Sequence, residues 1–347
     1  MSFTIAFYVH HHGSGHLIRT LKIATQLTEY SVILLGSELN NTVHPLPENV
    51  TLIHLPPDFT DQELPIGNTP DTFHYAPIGL SGIRERMSIM ADLFRRISPL
   101  ILVVDVSVEV ALFARLCSVP TVVIRQHGIR DDLPHLMAYQ SAALIIAPFA
   151  RAEHLGSEDW IYSKTVFTGG FSRFDHILDQ SSEVRGQVGV LIGSGGSSIN
   201  AELIESIAEK LPNHIFHVLG LDRNEISNPN VYWHGRLLSP ESILRSCQFI
   251  IGNTGHNTVM EVASLNKRFL GIPEIRPFDE QLEKARAIQE REGIKIIGLA
   301  DLADQDWPVI FQELESETPD WQGVTDAEGA YRMAKAIIDT AGELFNP

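Results

Sequence analysis

Short apolar runs rich in β-branched residues recur along this chain and alternate with amphipathic stretches of helical periodicity. Strands that alternate with helices are typical of α/β folds, in which the strands are parallel and the helices connect them. A chain of 347 residues is long enough for two domains, each with a core of its own. The alternation and the length together predict two parallel-sheet domains.

The predicted strands fall into two series separated by a polar, glycine-containing segment. The first series comprises residues 4–9, 31–35, 50–55, 100–104, 121–124 and 144–147, and the second comprises 188–192, 215–219, 231–234, 249–251 and 268–271. The Gly169-Gly170 pair and the polar stretch 179–186 lie between them. We therefore expect domains over 1–165 and 187–325, joined by a linker over 166–186.

Helical periodicity is clearest in four stretches. Residues 20–28 and 108–116 predict helices in the first domain, and residues 203–211 predict one in the second. Near the C-terminus, apolar residues recur at helical spacing, namely Tyr331, Ala334, Ile337, Ile338, Ala341, Leu344 and Phe345. They predict an amphipathic helix over 326–347 that packs back toward the first domain. The proline-rich segment 56–77 predicts a long loop, a feature that is often functional or mobile.

The charge balance narrows the range of functions. The 26 basic and 43 acidic side chains give a net charge of −17, which disfavours nucleic acid and anionic membranes as partners. The start of the chain lacks the basic region of a signal peptide, and charged residues interrupt the apolar stretch 99–124. We therefore expect a cytoplasmic protein. Cys117 and Cys247 lie far apart in apolar contexts, so we expect two buried thiols.

The first strand leads into a turn rich in glycine and histidine, HHHGSGH at 10–16. Such a turn places backbone N–H groups and a helix N-terminus beside a ligand, but its spacing fits neither a dinucleotide fingerprint nor a P-loop. His10 and His12 share a strand face, yet no nearby cysteine or carboxylate cluster completes a zinc shell. We interpret the extra histidines as polar lining of a cleft and predict no bound metal.

Two more glycine-rich turns lie between strand and helix in the second half, GSGGSS at 193–198 and GNTGHNT at 252–258. Two helix N-termini in one domain offer many backbone amides, which can hold a diphosphate in a protein whose net charge disfavours anions. For either turn alone, a plain connection between strand and helix is an equally good interpretation.

The stretch GNTGHNTVMEVASLNKRFLGI at 252–272, followed by Pro273 and by PFDEQ at 277–281, resembles the donor-binding signature of GT-B glycosyltransferases. It is most similar to family 28, which includes the enzyme that adds N-acetylglucosamine to lipid-linked peptidoglycan precursors. The turns at 13–19, 168–170 and 193–198 resemble further motifs of that group in the same order. The resemblance implies a GT-B fold, in which two Rossmann-like domains, for the acceptor and for the nucleotide-sugar donor, face each other across a cleft.

The resemblance also implies roles for single residues. Glu261 corresponds to the carboxylate that binds the ribose hydroxyls of a UDP-sugar, His16 to the catalytic base, and Asp105 to the carboxylate that orients such a histidine. The other implied donor-binding residues are Gly193, Ser194, Gly195, Gly196, Ser197, Ser198, Asn253, Thr254, Gly255, His256, Asn257 and Thr258 around the phosphates, His234, Gly235, Arg236 and Leu237 beside the nucleobase, and Glu280 and Gln281 at the sugar. The implied acceptor-binding residues are Gly13, Ser14, Gly15 and His127.

Elementary chemistry gives independent reasons for two of these assignments. Histidine titrates near neutrality and can take a proton from an acceptor hydroxyl. Asp105 closes a strand, where its carboxylate can either fix the imidazole tautomer or cap the helix that begins near Val108. The chain departs from family 28 at two points, because the first turn reads HGSGH instead of GGTGGH and Lys284 stands where asparagine is frequent.

The spacing of glutamates bears on stereochemistry. Retaining GT-B enzymes of the commonest kind carry a Glu-x7-Glu pair in the donor domain. The residues eight positions beyond Glu261, Glu274 and Glu280 are Phe269, Leu282 and Ile288, so no such pair can form. This favours inversion at the anomeric carbon.

The leading hypothesis is a metal-independent, inverting transfer of a hexosyl or N-acetylhexosaminyl group from a UDP-sugar to a hydroxyl acceptor, with no further cofactor. Membrane contact is expected only if the acceptor is lipid-linked. Two alternatives stay open, a non-hydrolysing UDP-sugar 2-epimerase and a non-catalytic nucleotide-sugar-binding subunit.

Overall fold

The computed structural model describes residues 3–10, 15–39, 46–59, 63–153, 158–175, 183–193, 195–222, 228–237 and 239–346. Two sheets organise this part of the chain, one of seven strands from the first half and one of six strands from the second half. Neighbouring strands within each sheet are parallel. The predicted α/β class and the two strand series are confirmed.

The first sheet has the order β3-β2-β1-β4-β5-β6-β7. Its strands are β1 (Thr4–Tyr8), β2 (Ser31–Gly36), β3 (Val50–His54), β4 (Leu100–Asp105), β5 (Thr121–Ile124), β6 (Leu144–Ala147) and β7 (Thr165–Phe167). Helices cover both faces, so central strands such as β4 are buried throughout and their sequences are continuous apolar runs.

The second sheet has the order β10-β9-β8-β11-β12-β13. Its strands are β8 (Gln187–Leu191), β9 (Ile215–Leu219), β10 (Val231–Gly235), β11 (Phe249–Gly252), β12 (Arg268–Gly271) and β13 (Ile294–Ile296). In each sheet the order of strands reverses once, between β1 and β4 and between β8 and β11. Ligands of open α/β sheets bind at this reversal, beyond the carboxyl ends of the strands.

The described residues form eleven α-helices, of which the last two follow the final strand. They are α1 (Gly15–Ala24), α2 (Ser81–Arg96), α3 (Val108–Leu116), α4 (Leu133–Ser141), α5 (Asp159–Lys164), α6 (Ala201–Lys210), α7 (Glu241–Ser246), α8 (His256–Ser264), α9 (Glu280–Ile288), α10 (Trp307–Ser316) and α11 (Gly329–Phe345). None of the helices in these ranges is long and apolar enough to cross a membrane.

The C-terminal helix α11 returns to the first domain, as its amphipathic pattern predicts. Met333, Ile337 and Ala341 on its apolar face are buried in the same core as Ile5 and Ile23. Removing these side chains from water stabilises the packing of α11 against the first domain by roughly 1.5–3 kcal/mol for each large residue that is buried. The end of the chain therefore belongs to the N-terminal core.

Several details differ from the predictions. Helix α1 begins at Gly15 and ends at Ala24, earlier than the predicted 20–28, and α2, β7 and β13 lie where no element was predicted. Cys247 is buried, and burial raises the pKa of its thiol to about 12. Cys117, however, is only half-buried because it ends α3 near the surface, so the prediction of two buried thiols is wrong for Cys117.

Candidate active site

His16 and Asp105 meet at the reversal point of the first sheet. His16 is the second residue of α1, and Asp105 is the last residue of β4. The distance from Nδ1 of His16 to Oδ2 of Asp105 is 2.7 Å, and the His16 side chain keeps 23% of its exposure. The contact that the sequence suggests is therefore present. The capping alternative is not, because Ser107 caps α3 by accepting a hydrogen bond from the Val110 N–H.

A buried arginine completes this group. Nη2 of Arg19 donates to both carboxylate oxygens of Asp105, at 2.7 and 2.6 Å, and Gln126 donates to Oδ1 at 2.8 Å. Burial alone would raise the pKa of Asp105, but the adjacent guanidinium charge of Arg19 and the hydrogen bonds from His16 and Arg19 hold that pKa well below its usual value. Asp105 is therefore ionised, and it accepts a hydrogen bond from an Nδ1–H of His16. This tautomer leaves Nε2 able to take a proton.

The N-terminus of α8 lies at the reversal point of the second sheet and contacts α1. The Asn257 side chain donates to the carbonyl oxygen of Gly15 at 2.8 Å, so it joins the N-terminal turns of the two helices. A Cβ at Gly15 would lie 2.7 Å from Asn257 Nδ2, so a larger residue there would require the Asn257 side chain to shift. Both helix N-termini therefore open toward the same region between the sheets.

His256 begins α8 and is buried, yet its two ring nitrogens have no hydrogen-bond partner in the described structure. Burial, and then the nearby charge of Lys284, lower its pKa well below the usual value, so the ring is neutral. Buried polar atoms normally have partners. An orphaned imidazole beside a free helix N-terminus is consistent with a polar ligand at this position.

Glu261 lies one and a half turns further along α8 and is 6% exposed. Its carboxylate forms an ion pair with Arg173, whose Nε lies 2.8 Å from Oε1 and whose Nη2 donates to Oε2 at 3.3 Å. Burial raises the pKa of Glu261 and Arg173 opposes this shift. Glu261 is therefore a buried, paired carboxylate and not one exposed on the surface of the helix.

The first glycine-rich turn of the second domain is engaged by a carboxylate. The backbone N–H and the hydroxyl of Ser198 donate to Oε1 of Glu274, at 2.5 and 2.6 Å, and Asn253 donates to the same oxygen at 3.1 Å. Ser197 contacts it at 3.4 Å. A phosphate would have to displace Glu274 from this turn. The sequence gives no signal of this contact, because Glu274 follows a different strand.

Glu280 and Gln281, the pair predicted to contact the sugar, differ in burial. Gln281 is buried, accepts a hydrogen bond from the Glu274 N–H at 3.0 Å, and receives the Thr254 hydroxyl on its backbone carbonyl at 2.8 Å. Glu280 lies at the surface of the cleft, with Oε2 3.4 Å from Nη2 of Arg130 in the first domain. Gln281 therefore shapes the loop, and Glu280 faces the opposite domain.

The remaining predicted residues lie in three places. His234, near the end of β10, has its Nε2 3.0 Å from Nδ1 of His217 in β9, and Gly235, Arg236 and Leu237 follow it in the chain. Gly193, Gly195 and Gly196 belong to the turn that Glu274 engages, and the Thr258 methyl packs near Gly252. Gly13, Ser14 and Ser194 lie outside the described residues, as do His11 and His12.

Buried charges join the two domains beside His127. Nζ of Lys284 in α9 donates to Oε2 of Glu153 in the first domain at 2.6 Å, and His127 Nε2 lies 3.4 Å from the same oxygen. Burial, and then the charge of Lys284, lower the pKa of His127 to about 4, so its ring is neutral at pH 7. Lys284 thus joins α9 to the first domain next to a predicted acceptor residue.

One histidine and aspartate cluster in the described ranges has ligand atoms close enough for a metal, formed by His74, Asp132 and His135. Nδ1 of His135 is 2.9 Å from Asp132, and its Nε2 is 3.1 Å from Nη1 of Arg130. Because a guanidinium only donates, Nε2 accepts and the proton lies on Nδ1, facing Asp132. Burial, and then Arg130, lower the pKa of His135 to about 4. Both ring nitrogens of His135 therefore have hydrogen-bond partners in the protein.

Two parallel-sheet domains with their reversal points facing each other define the GT-B fold, and solved glycosyltransferases share it. MurG of Acinetobacter baumannii aligns with a TM-score of 0.65 at 14% identity, over 98% of this chain and 100% of that one. Arabidopsis thaliana UGT89C1 with UDP-L-rhamnose gives 0.68 at 13% identity over 98% and 99%, and the calicheamicin glycosyltransferase CalG4 gives 0.65 at 13% over 99% and 100%. No protein-family model and no curated protein matches the sequence.

Proposed function

We propose that this protein transfers a hexosyl or N-acetylhexosaminyl group from a UDP-sugar to a hydroxyl acceptor with inversion. The observation that carries the proposal is the junction of α1 and α8 through Asn257 and Gly15. It brings a histidine and aspartate pair on one domain next to a helix N-terminus on the other. A base on one side of a cleft and an anion-binding terminus on the other are what a single displacement needs.

In this mechanism the acceptor hydroxyl gives its proton to Nε2 of His16 as its oxygen attacks the anomeric carbon. The bond from that carbon to the diphosphate oxygen breaks, and UDP leaves with the electron pair. Asp105 stabilises the imidazolium that forms, and the backbone N–H groups of α8 at Gly255, His256 and Asn257 receive the negative charge on the diphosphate. An α-linked donor gives a β-linked product, which NMR of the product checks.

The experiment that tests the proposal begins with UDP, because the acceptor is unknown. Isothermal calorimetry should detect UDP binding, and a UDP-sugar should release UDP in the presence of the protein and a hydroxyl acceptor. Incubation with UDP-GlcNAc alone, followed by NMR, separates transfer from 2-epimerisation. Formation of an epimer without an acceptor would overturn the transferase assignment.

Glu261 is expected to bind the ribose hydroxyls. A carboxylate hydrogen bond is worth about 1.5–3 kcal/mol, so 2′-deoxy-UDP should bind the wild-type protein more weakly than UDP by at least about tenfold. In Glu261→Ala this discrimination should vanish, because neither ligand then has the carboxylate. Any effect of the substitution on Arg173 changes the affinities for both ligands alike, so it cancels in the ratio of the two affinities. Retention of the tenfold preference in the variant would place the ribose elsewhere.

Transfer is expected to be independent of divalent cations, because amides and helix dipoles meet the diphosphate charge. The Asp304-Gln305-Asp306 sequence resembles a metal-binding DxD, but Asp306 caps α10 by accepting a hydrogen bond from the Val309 N–H at 3.3 Å. Activity in EDTA should equal activity in Mg²⁺ or Mn²⁺ within about twofold. Loss in EDTA with recovery in Mn²⁺ would contradict this.

A further inference from the structure

Arg173 lies in the segment between the domains and covers the carboxylate that we assign to the ribose. Both oxygens of Glu261 face its guanidinium, at 2.8 Å from Nε and 3.3 Å from Nη2. Glu261 is 6% exposed, and Arg173 lines the same small cavity as this carboxylate. A ribose that binds Glu261 as proposed therefore competes with the Arg173 guanidinium for these oxygens.

The geometry of this pair favours displacement. Although Nε lies 2.8 Å from Oε1, it makes no aligned hydrogen bond to any described residue, so the pair lacks the two parallel bonds of a strong arginine–carboxylate contact. The Arg173 side chain keeps 24% of its exposure and packs over the ring of Phe174. Because part of this side chain is exposed, the guanidinium can move toward solvent.

The surroundings of Arg173 attract an anion. Arg19, Lys22 and Arg173 line one small cavity between α1 and α8, together with Glu261. Asp105 neutralises Arg19 and Glu261 neutralises Arg173, whereas Lys22 has no ion-pair partner among the residues that the structure describes. Once ribose hydroxyls bind Glu261, Arg173 and Lys22 would be two cations without an ion-pair partner beside the N-terminus of α8. Such a group matches a diphosphate in charge.

We propose that Arg173 is a specificity residue for nucleoside diphosphates, blocking Glu261 until the diphosphate of an incoming ligand becomes the new partner of its guanidinium. This inference rests on the proposed function and deepens it. A nucleoside without phosphates has to separate Arg173 from Glu261 and offers no replacement, and leaving a partly buried charge unpaired is costly. A nucleoside diphosphate instead offers the Arg173 guanidinium a diphosphate in place of the Glu261 carboxylate.

The test measures uridine and UDP binding by isothermal calorimetry to the wild-type protein, Arg173→Ala and Arg173→Lys. In Arg173→Ala, uridine should bind about three- to tenfold more tightly because Glu261 is open, and UDP about tenfold more weakly because a phosphate contact is lost. Arg173→Lys should keep most of the UDP affinity because it keeps the charge. If Arg173→Ala does not fold, Arg173→Gln takes its place with the same expected directions.

Arg185→Ala is the matched control, since Arg185 forms an exposed ion pair with Glu315 in the second domain. It should leave both affinities unchanged. If Arg173→Ala changed the affinities for uridine and for UDP by the same factor, or changed neither, the inference would be overturned and the proposed function would be left intact. Failure of the wild-type protein to bind UDP would instead overturn the proposed function.

Discussion

Replacing His16 with alanine is expected to lower kcat for sugar transfer by about 10²–10⁴-fold, the usual contribution of a positioned general base. The affinity for UDP should stay within about twofold, because His16 lies on the first domain and is not assigned to the nucleotide. Such a loss in kcat without a loss in binding indicates an interaction made in the transition state. Steady-state kinetics and calorimetry on the same preparation measure the two quantities.

His74 provides a matched control for this experiment. Its side chain has 26% exposure against 23% for His16, and it also contacts an aspartate, with Nε2 3.0 Å from Oδ1 of Asp132. His74→Ala should therefore retain kcat within a few-fold. If His74→Ala lost the activity and His16→Ala kept it, the base would be assigned to the wrong histidine and aspartate pair.

Much of the candidate site could be predicted because strand ends gather at one edge of a parallel sheet. The turn before His16 and the carboxylate of Asp105 each follow an apolar strand, and the topology then brings these strands side by side as β1 and β4. Only local patterns are needed to find both strands. The same reasoning places the turns after β8 and β11 together.

The contacts that charged and polar side chains of the site make with residues far away in the chain could not be predicted in this way. Arg19 contacts Asp105, Arg173 contacts Glu261, and Ser198 contacts Glu274 across separations of 76 to 88 residues. Nothing in the local sequence distinguishes these side chains from solvated ones, because only the packing of distant elements makes them partners. The three-residue strands β7 and β13 were missed for a related reason, since such short runs show no periodicity.

Lys284→Met is expected to lower the stability of the folded protein by about 3–5 kcal/mol, the cost of leaving one partner of a buried ion pair uncompensated. Lys284 and Glu153 are 1% and 4% exposed and are 2.6 Å apart. Burial alone would raise the pKa of Glu153, and Lys284 is the main group that lowers it to about 2. Without Lys284, the Glu153 carboxylate would be held between the two domains with only neutral His127 beside it.

Urea denaturation at several pH values tests this expectation, because the pH dependence should change sign. In the wild-type protein the pKa of Glu153 is depressed, so its contribution is present above about pH 4.3 and is lost as the pH falls toward 2. In Lys284→Met that pKa should rise above the unfolded value, so the deficit should be largest at pH 7 and shrink toward pH 5 as Glu153 takes up a proton. The double variant Glu153→Gln with Lys284→Met should regain most of the loss at pH 7, since no charge is then buried. A deficit that is independent of pH and persists in the double variant would mean that lost packing around Lys284, and not an uncompensated charge, destabilises the folded protein.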